Sequence, residues 1–350
     1  MTVDVLSDVL RAIRLTGAVY FDFEMSSPWV AEAPASREFA EKVMPGAERV
    51  IEYHVIARGE CWGHAVGDEP MRLCQGDLIL FPQGDSHVLS SAPGMRAAPS
   101  MSRFAQGSTP LPIMYEFGGG GPERARLVCG FLGCDERPYN PLLTALPRVI
   151  HLAAAGTDGS NGWIGTLLNV AVKESGSARA GSENVLARLS ELMFVEAIRR
   201  YLEALPPAQT GWLAGLRDPF VGQALAALHG NPGDAWTVEG LAQLVGLSRS
   251  VFAERFTDMV GQPPMQYLAL WRMQLASRLL IEGGHVAAVA SAVGYESEAA
   301  FSRAFKKLVG QAPAAWRRGS VPAAAVSASA SASSVVAPQP PPPRSRIRLA

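Results

Sequence analysis

Two kinds of hydrophobic periodicity divide the chain into two parts. Between about residues 15 and 150, short apolar runs alternate with turn-forming Gly, Pro and Asp. These runs lie at 50–56, 61–66, 71–74 and 78–81. Short strands at such close spacing predict an antiparallel β-sandwich or β-barrel. Between about residues 183 and 318, Ala and Leu recur at helical spacing. We therefore predict an α+β protein with a β-rich N-terminal part and an all-α C-terminal part.

The strongest signal in the chain is an internal repeat within the helical part. Residues 237–246 read TVEGLAQLVG, and residues 285–294 read HVAAVASAVG. The match resumes in segments 252–264 and 301–313, which share two Phe, a Val-Gly-Gln triplet and a Pro at equivalent positions. Self-similarity of this kind indicates that one supersecondary unit has been duplicated.

Each unit has the pattern of a helix, a tight turn and a second helix. In the first unit, Thr237 and Ser248 are suited to cap the two helices, and Gly246 suits the positive φ of the turn. Gly294 occupies the same place in the second unit. Residues 265–281, between the units, would span about 25 Å as a helix. The chain is therefore predicted to hold two helix-turn-helix units whose second helices enter major-groove segments about one DNA turn, about 34 Å, apart.

Residues 218–318 resemble the DNA-binding domain of the AraC/XylS family of bacterial transcription regulators. The run GYESEAAFSRAFKKLVGQAPAAWRR at 294–318 is similar to that family's signature, and the first unit matches it as well. The resemblance covers the whole of this region. It implies sequence-specific binding to double-stranded promoter DNA and control of transcription through contacts with RNA polymerase.

The positions of the second helices that lie outside the apolar stripes are the candidate DNA contacts. Arg249 and Arg303 are predicted to reach base edges, because an arginine can bond guanine O6 and N7 together. The predicted phosphate contacts are basic residues on or after the last of these helices: Lys306, Lys307, Arg317 and Arg318. The other candidates are polar residues of the same helices: Ser250, Glu254, Arg255, Ser297, Glu298 and Ser302. The alternative interpretation of such a charge run is a solvated helix face.

A second resemblance lies in the β-rich part. Residues 76–87 read GDLILFPQGDSH and fit the pattern G-x5-P-x-G-x2-H. This pattern is similar to the second motif of the cupin β-barrel family, whose histidine often binds a metal. A cupin-like half ahead of this kind of DNA-binding half resembles the sensory subgroup of the AraC/XylS family. In that subgroup the barrel binds an effector or assists dimerisation.

The first cupin motif is incomplete under either alignment of the chain. With Glu52 and Gly59 in their places, both expected histidines are absent, and with His54, Glu60 and Gly67, Ile56 replaces the second histidine. Strand alternation nevertheless places Glu52 and His54 on one face of a strand. Together with His87, they could form a nitrogen and oxygen site for a divalent transition metal. The alternatives are a hydrogen-bonded structural histidine and a binding pocket without a metal. Beyond this candidate metal the cofactor is unknown.

The cysteines leave two interpretations open. Cys129 and Cys134 have a C-x4-C spacing, which is not the C-x2-C of a zinc ribbon or a thioredoxin-like motif. They are either small buried apolar residues or a thiol pair poised for oxidation or metal binding. The resemblance to the cupin-bearing regulators keeps redox sensing open.

Charge narrows the choice of function. The chain carries 31 Lys+Arg against 32 Asp+Glu, a formal net charge of −1, which argues against binding nucleic acid through bulk charge. The total conceals a local excess. Residues 285–318 carry five basic residues against two acidic ones, whereas residues 237–264 carry two basic against three acidic. Electrostatic attraction to DNA is therefore predicted to be concentrated in the second unit.

The predicted organisation has four parts: a cupin-like sensor at 1–182, a helical linker able to dimerise at 183–217, the DNA-binding domain at 218–318, and a disordered Ala/Ser/Pro tail at 319–350. The chain shows neither a secretory signal nor an apolar run of transmembrane length, so we expect a cytoplasmic protein with no membrane contact. The expected partners are promoter DNA, RNA polymerase, an unknown small-molecule or redox effector, and a second copy of the chain.

Two classes of function remain. The first is a one-component transcription regulator, and the second is a metal-dependent cupin enzyme with an appended DNA-binding domain. Catalytic cupins usually need a fully ligated metal with an open position, which the missing histidine pair does not supply. We therefore predict a regulator without catalytic turnover.

Overall fold

The computed structural model describes residues 3–99, 112–154, 163–177, 179–206 and 209–319. Apart from residue 319, the tail predicted to be disordered lies outside these ranges. Within them, β-strands occupy the N-terminal part and helices dominate after Ile150–Leu152. The predicted α+β division into a β-rich part and an all-α part is confirmed. None of the helices in the described ranges combines the length and apolar character needed to cross a membrane.

The β-rich part contains ten described strands. They are β1 (Thr16–Ser26), β2 (Val30–Ala33), β3 (Arg49–Arg58), β4 (Glu60–Ala65), β5 (Met71–Cys74), β6 (Leu78–Phe81), β7 (His87–Ser90), β8 (Ile113–Gly118), β9 (Arg124–Cys134) and β10 (Ile150–Leu152). The four apolar runs predicted to be strands are found as β3 to β6. Short strands form there because β-branched and aromatic residues alternate between Gly, Pro and Asp turns.

The helices are α1 (Val5–Ala12), α2 (Ala40–Val43), α3 (Pro141–Ala145), α4 (Trp163–Ser175), α5 (Ser182–Ala204), α6 (Trp212–Arg217), α7 (Val221–Gly230), α8 (Val238–Leu244), α9 (Arg249–Val260), α10 (Pro264–Ile281), α11 (Val286–Ala292), α12 (Glu298–Val309) and α13 (Pro313–Gly319). A short 3-10 helix at Ser36–Glu38 precedes α2.

The strands form two sheets. One has the order β10-β6-β3-β9-β1-β8, and the other has the order β2-β7-β4-β5. All the described strand pairs are antiparallel except β1 with β8. Buried residues of both sheets, such as Phe21, Leu73, Leu89 and Phe131, belong to one apolar cluster. The two sheets therefore face each other across an apolar interior. We call this two-sheet body the barrel part.

The outer face of the six-stranded sheet is covered by helices. On β3, Ile51 and Tyr53 belong to a second apolar cluster that also contains Leu186 and Met193 of α5. The approach of α5 to β1 is close, since a Cβ at Gly17 would lie 2.5 Å from a backbone oxygen of α5. The long helix after the barrel thus packs along the sheet.

The helical part contains the two predicted helix-turn-helix units, α8–α9 and α11–α12, joined by α10. The predicted caps are observed, because the Thr237 side chain accepts from the Gly240 amide and the Ser248 side chain from the Val251 amide. Gly246 has φ +73° in the first turn, and Gly294 has φ +79° in the second. Glycine adopts this left-handed conformation without the steric penalty that a Cβ would bring.

The two units differ in what they pack against. Phe252 and Phe256 of the first unit belong to the same continuous apolar cluster as the outer face of the barrel sheet. Phe301 and Phe305 of the second unit belong to a separate cluster with Trp316. The first unit is therefore built into the body of the molecule, whereas the second has a core of its own.

Candidate functional site

The two second helices present one buried and one exposed face. The phenylalanines of their apolar stripes are fully buried, as predicted. Most of the predicted DNA contacts on or beside these helices are exposed: Arg249, Ser250, Glu254, Arg255, Ser297, Glu298, Arg303, Lys306 and Lys307. Arg318 of α13 is exposed as well. Ser302 and Arg317 are half-buried. The Ser297 hydroxyl also accepts a hydrogen bond from the Ala300 amide at 3.2 Å and so caps α12.

The arginines of the first unit have partners within the protein. Arg249 forms an ion pair with Glu239 of α8, and both side chains are well exposed. Arg255 forms a two-pronged ion pair with Asp218, with its Nη2 2.5 Å and its Nε 3.0 Å from the carboxylate Oδ2. The Arg255 guanidinium also lies 5.0 Å from the centre of the Phe220 ring. Arg255 thus joins α9 to the segment that begins α7.

Asp218 is the centre of this junction. Its side chain is 3% exposed, and its Oδ1 accepts hydrogen bonds from the amides of Phe220 at 3.0 Å and Val221 at 2.9 Å. Burial raises the pKa of Asp218, but the bonds from Arg255 and these amides outweigh burial and hold the pKa below its ordinary value. The carboxylate is therefore ionised and fully bonded at neutral pH. Asp218 was not among the residues predicted from the sequence, because a lone acidic residue ahead of a helix is common on protein surfaces and does not indicate a buried partner.

The second unit carries the more available positive charge. In the part of the chain that the structure describes, Arg303, Lys306 and Lys307 of α12 take part in no ion pair. All three are exposed on one face of the helix. Charge of this kind, left without an internal partner, is what phosphate oxygens and guanine edges bind.

A separate cavity lies between the two sheets of the β-rich part. Its walls are mostly aromatic and apolar, with Phe21, Phe23, Trp29 and Phe131 among the lining residues. The cavity measures about 70 Å³. That is room for an ion with its ligands or for a small molecule, since a single water needs about 10–15 Å³ on the same measure. These aromatic walls were not predicted from the sequence, although the alternation of Phe21 and Phe23 along β1 is a signal for a shared face.

The three residues of the predicted metal site line the cavity, together with Glu32 and Cys129. Glu52 and His54 point inward from β3, and His87 begins β7 of the other sheet. The His54 Nε2 lies 2.8 Å from the His87 Nε2, and the Glu52 Oε2 lies 3.8 Å from the same nitrogen. One potential ligand atom from each residue falls within 4.8 Å of the others. The fold thus brings together the three residues of the predicted metal site.

Burial sets the protonation of this cluster. It lowers the pKa of His87 to about 4. It lowers the pKa of His54 well below the usual value, and the neighbouring His87 lowers the pKa of His54 further. It raises the pKa of Glu52 well above the ordinary range. Both imidazoles are therefore neutral at pH 7, and burial favours the protonated form of the Glu52 carboxyl group.

Hydrogen bonding orients the imidazoles. The His87 Nδ1 lies 3.1 Å from the carbonyl oxygen of Asp85, to which only a protonated Nδ1 can donate. The His87 Nε2 is then a lone-pair atom facing the cavity. Within the described structure, the Glu52 Oε1 and the His54 Nδ1 are buried without a hydrogen-bond partner. Two imidazoles and a carboxyl group that converge in this way fit a divalent metal that prefers nitrogen ligands.

The two cysteines of the C-x4-C motif are not brought together. Both are buried on β9, but Cys129 faces the cavity opposite His54, whereas Cys134 belongs to the cluster on the outer face of the sheet. Five steps along a strand also separate them by about 16 Å, far beyond the reach of a disulfide. Burial raises the pKa of Cys134 to about 12. The thiol pair, one of the two interpretations that the sequence left open, is therefore not formed in this fold.

Comparison with known proteins agrees with both halves of the molecule. Residues 4–203 match a family model described as Cupin, and residues 241–319 match one described as Helix-turn-helix domain. A putative AraC-like transcription regulator of Streptomyces lividans is 35% identical over 78% of this chain and 88% of its own length. One of Streptomyces antibioticus is 33% identical over 91% of this chain and 100% of its own. The HTH-type transcriptional regulator AlkR of Acinetobacter baylyi is 28% identical over 91% of this chain and 100% of its own.

Together, the fold and the duplicated units define a DNA-binding protein with a cupin domain ahead of a helix-turn-helix domain. The chain belongs to the AraC-like transcription regulators. Its function is to regulate transcription by binding DNA through the helical C-terminal domain.

Proposed function

We propose that the chain is a one-component regulator whose barrel cavity binds an effector and whose two helix-turn-helix units bind successive major-groove segments of a promoter. The observation that carries this proposal is the continuous apolar cluster. Residues of the barrel sheet, such as Tyr53, and residues of the first unit, such as Phe256, belong to the same buried core. A change of shape in the barrel part can therefore be transmitted to the DNA-binding part through side chains that pack against one another.

Within the DNA-binding part, we assign different roles to the basic residues. Arg303 is free to contact a base edge, and Arg249 can do so after leaving its exposed partner Glu239, because surface ion pairs are weak. The proposed phosphate contacts are the basic residues of the C-terminal helices: Lys306, Lys307, Arg317 and Arg318. The exposed polar residues complete the surface: Ser250, Glu254, Ser297, Glu298 and Ser302.

The remaining partners of the proposed regulator follow from this role. Bound at a promoter, it contacts RNA polymerase, and it works in the cytoplasm, where the chromosome lies. We include a second copy of the chain, because Val185 and Leu192 leave an apolar stripe exposed on α5. Catalytic turnover has no part in this proposal, since the relatives that cover most of the chain are named as transcription regulators.

The DNA-binding roles are tested with the full chain and an operator selected from random DNA. We expect Arg303→Ala to weaken specific binding by about 1–3 kcal/mol and to relax one position of the site, because a base contact carries that much discrimination. Lys306→Ala should weaken binding evenly across sequences and lower the salt slope by about 1.

The matched control is Arg37→Ala, which removes an exposed arginine from the barrel part. It should leave affinity, salt slope and sequence preference unchanged. Wild-type affinity and base preference in Arg303→Ala would reject the assigned base contact.

A second proposal concerns the polar cluster of the cavity. We infer that Glu52, His54 and His87 hold a divalent transition metal, with zinc, copper and nickel the best matches to imidazole ligands. The support is the convergence of the three groups and the two buried polar atoms left without partners. Two nitrogen ligands of a tetrahedral zinc lie about 3.3 Å apart at bond lengths of about 2.0–2.1 Å, so the 2.8 Å pair needs only a small adjustment. The ion would crosslink β3 to β7 and so act as effector or as structural support.

The metal is tested on the purified full chain by elemental analysis and by thermal unfolding with and without a chelator. We expect bound metal near one equivalent and a lower unfolding temperature after chelation, because the ion binds only the folded state. His54→Gln should lose the metal, and His64→Gln, a buried histidine of β4 outside the cluster, should keep it. Binding should weaken as pH falls, because the metal must displace the proton that burial holds on Glu52. A metal-free wild type after incubation with zinc would refute the site.

A further inference from the structure

One amide side chain joins the barrel part to the helix between the two DNA-binding units. Gln274 lies in α10 and is 1% exposed. Its Oε1 accepts a hydrogen bond from the Tyr139 amide at 3.1 Å, and its Nε2 donates one to the carbonyl oxygen of Ala12 at 2.9 Å. Ala12 ends α1, and Tyr139 precedes α3. A single side chain of α10 therefore holds two separate segments of the barrel part.

The Tyr139 side chain extends this contact toward the first unit. Its hydroxyl accepts a hydrogen bond from the side-chain Nε2 of Gln262 at 2.5 Å, and Gln262 lies between α9 and α10. Its ring lies edge-on to that of Tyr267, with the ring centres 5.9 Å apart. Tyr139 thus contacts both the turn that follows α9 and the start of α10.

The barrel side of the contact leads back to the cavity. Tyr139 follows β9, whose Phe131 lines the cavity. Directly after β9, the Asp135 amide donates to the carbonyl oxygen of Ile13 at 2.9 Å. The Asn140 side chain donates to the carbonyl oxygen of Asp135 at 2.7 Å. The segment between the cavity wall and Gln274 is therefore braced by hydrogen bonds rather than loose.

The chemistry at Gln274 requires an amide. A buried backbone N–H and a buried backbone carbonyl, from two segments, must be satisfied by one side chain that both donates and accepts. An apolar residue would satisfy neither group, and an ionised carboxylate would satisfy only the N–H. Because α10 sets the separation of α9 and α12, any shift of Ala12 or Tyr139 that Gln274 follows changes the fit of both helices to DNA.

We propose that Gln274 is the residue through which the state of the barrel cavity alters the DNA affinity of the helix-turn-helix units. This inference rests on the proposed sensory role of the cavity and names the contact that carries it. It assigns to α10 a positioning role in addition to that of a spacer.

The proposal is tested by a double-mutant cycle on the full chain, with affinity for the selected operator as the readout. Phe131→Ala perturbs the cavity wall, and Gln274→Met removes both hydrogen bonds at similar side-chain length. We expect Phe131→Ala alone to change the dissociation constant by about fivefold or more, within the usual range of coupling between sites. In the Gln274→Met background the same change should shrink to within about twofold. Gln266→Met, at an exposed position of the same helix, should leave the cavity effect intact.

Amide hydrogen exchange gives a second readout that does not depend on DNA. The Tyr139 amide should exchange about tenfold faster in Gln274→Met, because its acceptor is gone, and at the wild-type rate in Gln266→Met. If Gln274→Met does not fold, Gln274→Leu replaces it in the cycle, since its side chain can bond neither the Ala12 carbonyl nor the Tyr139 amide.

The outcomes separate the two proposals. An equal effect of Phe131→Ala in both backgrounds overturns the role of Gln274 and leaves the sensory role standing. No effect of Phe131→Ala in the wild-type background overturns the sensory role, and the coupling with it. Unchanged exchange at Tyr139 in Gln274→Met overturns the contact itself.

Discussion

At the scale of the residue, two arginines of α9 illustrate how surroundings decide a role. Arg249 meets Glu239 where the side chains are 69% and 58% exposed, and a pair of this kind contributes little. Arg255 meets Asp218, whose side chain is 3% exposed and also bonds two backbone amides. Charge-assisted, two-pronged bonds to a buried carboxylate are much stronger. We therefore expect Arg249 to turn toward DNA and Arg255 to remain with Asp218, where it fixes the orientation of α9.

This difference predicts the effect of breaking the pair. Arg255→Ala should lower the free energy of unfolding by about 1–2 kcal/mol. Asp218→Asn should weaken the same interaction. The double variant should therefore lower the free energy of unfolding by less than the sum of the two single effects. Because the pKa of Asp218 is lowered in the folded chain, this stabilisation is present at neutral pH and is lost as pH falls through the pKa of the folded state. Chemical denaturation at two pH values measures both effects.

The same variants distinguish positioning from DNA contact. If Arg255 only positions α9, the salt slope of DNA binding in Arg255→Ala should equal that of the wild type. A slope reduced by about 1, with unchanged stability, would show instead that Arg255 binds a phosphate.

At the scale of the element, α5 has two faces with different partners. Leu186, Leu189 and Met193 are buried against the barrel sheet and its neighbouring helices. Val185 and Leu192 are 44% and 43% exposed and lie two turns apart on another side of the helix. Single exposed apolar residues are common, but two on one stripe of a long helix suit a helix-to-helix interface. This stripe supports the proposed contact with a second copy of the chain.

The stripe predicts a change of oligomeric state. Leu192→Glu should shift the chain from dimer to monomer at micromolar concentration, because a buried charge without a partner opposes association. Met114→Glu, at an exposed apolar position of β8, is the matched control and should leave the dimer intact. Sedimentation measures both. A monomeric wild type, or a dimeric Leu192→Glu, would contradict the proposed interface.

At the scale of the whole molecule, the two DNA-binding units are not equivalent. The first shares its core with the barrel part, and its arginines have partners within the protein. The second has a separate core and an exposed basic helix. We therefore expect the second unit to supply most of the electrostatic attraction to DNA and the first to respond to the barrel. Gln274 lies on α10, which contributes residues to the cores of both units, and so connects these two tasks.

Local features could be predicted from the sequence, because they depend on neighbouring residues. The caps at Thr237 and Ser248 and the turn at Gly246 follow from the preferences of single residues for particular backbone conformations. The shared face of Glu52 and His54 follows from strand alternation. The same alternation separates Cys129 from Cys134, but only once both are known to lie on one uninterrupted strand.

What the sequence by itself determined is the division into a β-rich and a helical part, the duplicated unit and the residue types available for DNA contact. Periodicity and repetition are properties of the chain, and they survive any change of packing. Tertiary structure alone decided which distant groups meet: His87 beside His54 across two sheets, Asp218 under Arg255, and Gln274 between Ala12 and Tyr139. Such pairings depend on how sheets and helices pack. The sequence around a polar residue does not indicate which distant group packing will place beside it.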